Sequence, residues 1–443
     1  MTIKPDVVFR HSNMLTQQRK GAFIGMAKLD LLKGMKVIDM ASFVAGPTCA
    51  KILAEYGADV IRIEALVGDD KTRDVGKNAM GIKNGDLVLY DLVNGNKKQL
   101  ALDTRRPEGL AILKKLLETA DVFVCHLRQN NMERLGLDWE NLHKTYPGLI
   151  YANVTGYGTK GPYADRGGFD SVAYVSRAGV HTGAEREGTK PYMPYAGQGD
   201  IPTGSYLAMG VMAAYINKLR TGKGEMVTAN LYGAGIWAGA FPIITAQEPY
   251  NVPWPKDPMD TFSPLYNIYQ CADGHWVTIC GNGWEVPWPK FVHYAGWDEE
   301  WLTKYPRMVD AYMNGRKLSE EMARWMATKN YDEVDDILSK SDIPHDVCQS
   351  YREVAQDPVA FEADLMQEIH YPRSGSTVRI PRSPVHFHEA GLPETVSAGV
   401  PGEDTMDVLT SYGFSEEEIR KLADEKIVGL GDTWTPDYLV VKR

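Results

Sequence analysis

The chain has 443 residues, 44% hydrophobic and 24% charged, which suits a soluble globular protein with a large core in two domains or one elaborated domain. Its 58 acidic and 48 basic residues leave a net charge of −10. That balance excludes a general nucleic-acid binder, which needs a basic surface, but not an anionic ligand held by a local basic cluster.

Residues 1–30 carry Lys4, Arg10, Arg19 and Lys20 without the continuous apolar core of a signal peptide, and are expected to be an N-terminal extension. From residue 34 the pattern alternates. GMKVIDM reads as a strand, PTCAKILAEYG as a helix and ADVIRIE as a strand. KKQLALD predicts another strand, and RPEGLAILKKLLETA a helix with Pro107 near its start. Strand VFVCHL, helix LDWENLHKTY and strand LIYANVTGYG follow. The alternation predicts an α/β fold with a parallel sheet covered on both faces. The turn after the first strand, ASFVAGPT, is not GxGxxG and gives no support for a dinucleotide site.

LYGAGIWAGAFPIITA, residues 231–246, is too short for the ~20 residues of a membrane span, so a buried helix is expected. YNIYQCADGHWVTICG predicts a hairpin turning at Asp273-Gly274, and residues 318–340 predict helix. Residues 360–395 mix short strands with turns, and EDTMDVLTSYG and SEEEIRKLADEKI predict two closing helices. A second, α+β domain is expected near residues 230–345. Cys49, Cys125, Cys271, Cys280 and Cys348 include no CxxC pair and no metal-ligand spacing, so a reducing cytoplasm is the expected setting.

Three stretches invite chemistry. Lys97, Lys98, Arg105, Arg106, Arg128 and Arg134 crowd into forty residues, the last four at or shortly after strand ends, where parallel sheets hold ligands. Arginine suits phosphate through its two-pronged donor fork, although a solvated face would look the same. GYGTKGPYADRGGFD, residues 156–170, carries five glycines that expose amide donors, or simply turn. The third stretch is YAGQGDIPTG. Asp200 reads as a helix N-cap with Pro202 in the first turn. It also admits a second reading, less favoured by residue type alone, as a nucleophile: an aspartate of ordinary pKa ~3.9 is ionised at neutral pH. Gly197, Gly199 and Gly204 would then admit a substrate carbonyl and leave amides to stabilise an oxyanion.

At these residues the chain resembles the family III coenzyme A transferases, the formyl-CoA/carnitine-CoA transferase family. The likeness runs through LKGMKVIDMASFVAGPTCAKILAEYGADVIRIE, NGNKKQLALD, ERLGLDWENLHKTYPGLIYANVTGYGTKGPY, GQGDIPTGSYLAMG, TGKGEMVTANLY and PGEDTMDVLTSYGFSEEEI. The resemblance implies that Asp200 attacks an acyl-CoA thioester, forming a mixed anhydride and then an aspartyl-CoA thioester. Gly197 and Gly199 would leave space for it. It places CoA contacts at Val44, Ala45, Arg105, His126, Leu127, Arg128, Arg134, Arg166, Gly167, Gly168 and Phe169. It also implies CoA thioester as substrate rather than resident cofactor, an acyl-CoA donor, a carboxylic acid acceptor, and no nucleic-acid or membrane partner.

The implied fold is a Rossmann-like large domain built from both chain ends (31–228, returning through 346–443) around a small domain at 229–345. An interlocked homodimer is implied, and association with a hydroxyacyl-CoA dehydratase is a further expectation. Val44 and Gly167 replace the glutamine and lysine of the formyl-CoA branch, and 251–262 lacks its glycine run. FDSVAYVSRAGV, GQGD and SPVHFHEAGLPE resemble instead the clostridial branch acting on 2-hydroxyacyl and aryl-lactate acids. Three alternatives stand beside this: carnitine or bile-acid transfer, an acyl-CoA racemase or epimerase, and a non-catalytic CoA-binding subunit. The racemase needs a titratable group where this chain has Phe169, and the binder has no use for Asp200.

Overall fold

A computed structural model describes residues 29–431 apart from 67–69, 80, 83, 128, 186, 256, 258 and 372–373. Most of the expected N-terminal extension, residues 1–28, and Arg128 therefore lie outside the described residues. The chain forms two compact units. One takes in the chain up to Val180, Met193–Ala240 and the chain from Val359; the other comprises His181–Tyr192 and Phe241–Pro358.

The first unit is a seven-stranded sheet with helices on both faces. Its elements are β1 (Lys36–Asp39), α1 (Ala45–Glu55), β2 (Asp59–Glu64), α2 (Thr72–Ala79), α3 (Val88–Asn94), β3 (Lys98–Leu102) and α4 (Pro107–Leu117). Then come β4 (Val122–Cys125), α5 (Gln129–Leu135), α6 (Trp139–Thr145), β5 (Ile150–Thr155), a π-helix (Ser171–Arg177), α7 (Asp200–Thr221), β6 (Met226–Asn230) and α8 (Leu231–Ala238). The returning chain adds a hairpin of β7 (Met366–Tyr371) and β8 (Ser376–Pro381), helices α9 (Thr405–Ser411) and α10 (Glu416–Asp424), and a short β9 (Val428–Gly429). The sheet order is β9-β3-β2-β1-β4-β5-β6, parallel except for β9, so both ends of the chain build it.

Apolar runs explain the burial on both faces. β4, VFVC, is buried at all four positions. Phe123 joins Leu113, Leu116, Tyr151 and Ile419 on one face, while Val122 and Val124 join Leu53, Ile150, Leu207 and Val211 on the other. α7 lies close on α1 because Gly204 has no side chain: a Cβ there would sit 2.3 Å from the Ala45 carbonyl oxygen.

β1 to β3 enclose a charged network. Lys97 Nζ donates to Asp39 Oδ2 at 2.8 Å, Asn94 Oδ1 at 2.9 Å and the Pro47 carbonyl at 2.9 Å. Arg62 reaches Asp70 Oδ2 at 2.7 Å and the Ala41 carbonyl. Arg73 pairs with Glu64 at 2.8 Å. Burial pushes the Lys97 ammonium down to about 8, against the pull of Asp39. Burial opposes the charge on Arg62 too, but Asp39 and its other anionic neighbours outweigh it and raise its pKa.

In the second unit Trp284, Trp288, Phe291 and Met322 fill the core, with the two tryptophans stacked at 4.3 Å. Strands Tyr266–Gln270 and Trp276–Cys280 make the expected hairpin, with Gly274 at φ +90° in its loop. The expected helix at 318–340 is two helices, Gly315–Met326 and Tyr331–Lys340.

Two expectations need correction. The second unit does not begin at 229: β6 extends the sheet of the first unit, and Leu231 and Ala234 pack with Ala173, Tyr174 and Val175. Nor is 231–246 one buried helix. It breaks at Gly239, and Trp237 is 73% exposed because its sequence is apolar around the whole helix and only one side meets a neighbour. No helix of the described residues is long and apolar enough to cross a membrane.

Candidate active site

The strand order 3-2-1-4-5-6 reverses direction between β1 and β4, and the crevice outside the carboxyl ends at that point is where open α/β sheets hold ligands. Here a cavity of about 860 Å³ is lined by the loop after β1, the residues following β4, the glycine-rich segment after β5 and the start of α7.

Four hydrogen bonds fix the loop after β1. Ala41 N–H donates to Asp39 Oδ1 at 3.0 Å, Ser42 N–H to His126 Nδ1 at 3.1 Å and Phe43 N–H to Asp70 Oδ1 at 3.4 Å, while Arg62 donates to the Ala41 carbonyl. Phe43 is thereby held at φ +65°, a left-handed conformation that is costly for a bulky residue. Its ring meets Phe169 edge to face at 5.2 Å. Burial, then the nearby Arg62 charge, lowers the His126 pKa and favours neutral imidazole.

Asp200 is the first residue of α7, and the residue at the cap position is Gly199. The cap reading is therefore corrected: the Asp200 carboxylate accepts no capping hydrogen bond. It lines the cavity, half-buried, with no hydrogen-bond partner among the described residues. Burial pushes its pKa up to about 7, and the charge of Asp170 adds to the rise. Such a group is neutral below about pH 7 and becomes a carboxylate nucleophile above it.

The glycines have separate roles. Gly197 needs its φ of +92°, and its N–H is already committed to Asp170 Oδ2 at 2.7 Å, so it is no free oxyanion donor. Gly199 leaves room for a protein side chain rather than for a thioester: a Cβ there would lie 2.3 Å from the Tyr174 ring. The Gly199 N–H meets no acceptor among the described residues. In the glycine-rich loop, Gly156 and Gly168 pack backbone against backbone, and a Cβ on Gly156 would stand 2.8 Å from Gly168 Cα.

Of the other candidate positions, Val44, Ala45, His126, Leu127, Arg166, Gly167, Gly168 and Phe169 line the cavity. Arg105 and Arg134 do not. Arg105 is an exposed partner of Asp103 at 2.8 Å, and Arg134 is exposed with Asn131 at 3.3 Å. Lys97 leaves the basic cluster altogether for its buried ion pair, and Lys98 pairs with Asp59 at 2.7 Å. Sequence reasoning missed Phe43, Asp170 and Asn153, whose Oδ1 is buried without a partner among the described residues. A backbone angle, a carboxylate facing a loop 27 residues on and an unpaired amide leave no mark on composition or spacing.

Residues 32–405 match the family described as CoA-transferase family III. The chain belongs to that family. This CoA-transferase is 35% identical over 404 residues to the (R)-2-hydroxy-4-methylpentanoate CoA-transferase of Clostridioides difficile, covering 90% of this chain and 99% of the relative. It is 31% identical over 400 residues to the cinnamoyl-CoA:phenyllactate CoA-transferase of Clostridium sporogenes, with 90% and 97% covered. A formyl-CoA:oxalate CoA-transferase of Escherichia coli is 26% identical over 417 residues, with 88% and 97% covered. In fold, this CoA-transferase resembles the crystal structure of a CAIB/BAIF family protein from Brucella suis. The TM-score is 0.73 at 24% identity, covering 86% of this chain and 99% of that one.

Proposed function

We propose that this CoA-transferase moves coenzyme A from an acyl-CoA thioester to a 2-hydroxy, aryl or branched-chain carboxylic acid, with Asp200 as covalent carrier. The observation that carries the reading is an unpaired carboxyl group facing a large cavity at the first residue of a helix, where the helix dipole favours negative charge. An Asp200 oxygen attacks the thioester carbon, the C–S bond breaks and CoA leaves as thiolate. The thiolate attacks the aspartyl carbonyl, releasing the donor acid and leaving an aspartyl-CoA thioester. The acceptor carboxylate attacks that thioester, and the returning thiolate then takes the new acyl group. An activated acyl bond, either anhydride or thioester, persists through every step, so no external energy source is consumed.

Substrate class follows from the walls. Phe43, Val44, Leu89, Leu92, Phe169 and Ile201 give the cavity an apolar lining suited to a branched or aromatic acyl chain. The names of the two clostridial relatives support the same class. Val44, Ala45, His126, Leu127 and the 166–169 loop would contact CoA, with Arg105 and Arg134 meeting its phosphates from the surface. A racemase would need a proton-transferring group at Phe169, which has none.

The test is a screen of acyl-CoA donors against carboxylic acids read by mass spectrometry, with hydroxylamine added to trap the carrier. Transfer to branched or aryl 2-hydroxy acids and a mass change at Asp200 are expected; a profile confined to formate and oxalate refutes the substrate class. Phe43→Ala should cut kcat/KM for aryl acids about 10–100-fold more than for small acids.

The family resemblance also leads us to propose a homodimer. Met209, Leu219 and Trp237 are 58%, 69% and 73% exposed, an apolar display that a partner chain would cover. Sedimentation should give the mass of a dimer; a monomer at working concentration refutes it.

A further inference from the structure

We propose that Asp170 is a positioning residue for the reaction at Asp200: its two oxygens hold the chain that carries the nucleophile, and its charge drives that nucleophile toward its covalent forms. The inference rests on the reading of Asp200 as carrier. Asp170 is 5% exposed and caps the π-helix. Its Oδ1 accepts from Ser171 N–H and its Oδ2 from Gly197 N–H, both at 2.7 Å. The Gly197 carbonyl in turn accepts from Ile201 N–H at 3.3 Å, the residue next to Asp200. One turn along the π-helix, the Tyr174 ring fills the space beside Gly199. The segment 197–201 is thus gripped at two points by the segment 170–174, and both residues line one cavity.

The charge argument follows from the chemistry. When Asp200 attacks, its negative charge passes to the departing sulfur, and the aspartyl anhydride and thioester are neutral at that residue. A fixed negative charge nearby raises the free carboxylate in energy and leaves those neutral forms untouched, which favours attack. It also makes Asp200 more basic, hence a stronger nucleophile once ionised. The other titratable groups facing the cavity are His126 from the end of β4, Glu140 of α6, and Lys160, Asp165 and Arg166 of the glycine-rich loop. None of these contributes to the raised pKa of Asp200, which comes from burial first and Asp170 second.

The test compares the parent with Asp170→Asn, which removes the charge and, because an amide nitrogen cannot accept, one of the two backbone hydrogen bonds, and Asp170→Glu, which keeps the charge. In the parent, kcat/KM falls about tenfold per pH unit below about 7. In Asp170→Asn that limb should move about one pH unit toward acid. Its kcat should fall about 10–100-fold while KM for the acyl-CoA stays within about threefold. Asp170→Glu should keep the limb at the parent position. A limb that stays put in Asp170→Asn, or that moves as far in Asp170→Glu, overturns the proposal. Should Asp170→Asn fail to fold, Asp170→Ser, which also removes the charge, takes its place in a proton titration beside the parent, each against its Asp200→Asn counterpart to isolate the Asp200 proton. An Asp200 midpoint about one pH unit below the parent's supports the proposal, and an unchanged midpoint overturns it. Transfer retained by Asp200→Asn would refute the carrier reading instead, and the titration would still report on Asp170.

Discussion

Asp200→Asn should lower CoA transfer by about 10⁴-fold or more, since it replaces the nucleophilic carboxylate with a neutral amide. Fold stability at neutral pH should rise rather than fall, because the change removes a charge that burial and Asp170 oppose and the carboxylate has no hydrogen-bond partner to lose. The mass change trapped by hydroxylamine should vanish with the activity. These measurements separate chemistry from folding: a variant that is stable yet inactive places the loss in the reaction itself. A variant that still transfers at more than about a tenth of the parent rate removes Asp200 from the mechanism.

Arg62→Met should have the largest effect on stability, about 3–5 kcal/mol, read as a shift in the chemical unfolding midpoint. Arg62 is 1% exposed, and its loss strands Asp70 and weakens the surroundings of Asp39 in the interior. An added Asp70→Asn should recover part of that cost, because it neutralises the stranded carboxylate. Additive losses in the double variant would refute the pairing. Arg62 also donates to the Ala41 carbonyl, so the loop bearing Phe43 and Val44 should loosen and KM should rise in any folded fraction.

The sheet was legible because strands such as KVID, DVIRIE and VFVC are short segments rich in Val and Ile separated by helical periods, a signal local to each segment. Helix α4 followed from Pro107 and its apolar stripe. The site was legible in its residues but less so in their roles. Propensity favours aspartate as a cap, yet the turn built on Gly197 delivers Gly199 to that position and moves Asp200 one residue inward. Lys97 and Arg105 look alike in a list of cations, but Lys97 faces Asp39, 58 residues away, and Arg105 faces solvent. Pairings of that kind are set by tertiary packing, which residue type and spacing do not encode. The 231–246 segment misled for a related reason: hydropathy says how apolar a helix is, not which side finds a neighbour.

The placement of β9 bears on how the chain matures. Val428 and Gly429 pair with Leu102 and Ala101 and cover the outer edge of β3. During synthesis, the loop after β1, the glycine-rich segment and the start of α7 are all made more than two hundred residues before that covering strand. Through that interval the edge of β3 offers free backbone donors and acceptors to any other extended chain. Shielding the sheet from mispairing is therefore the last thing this fold accomplishes, long after its chemistry is in place.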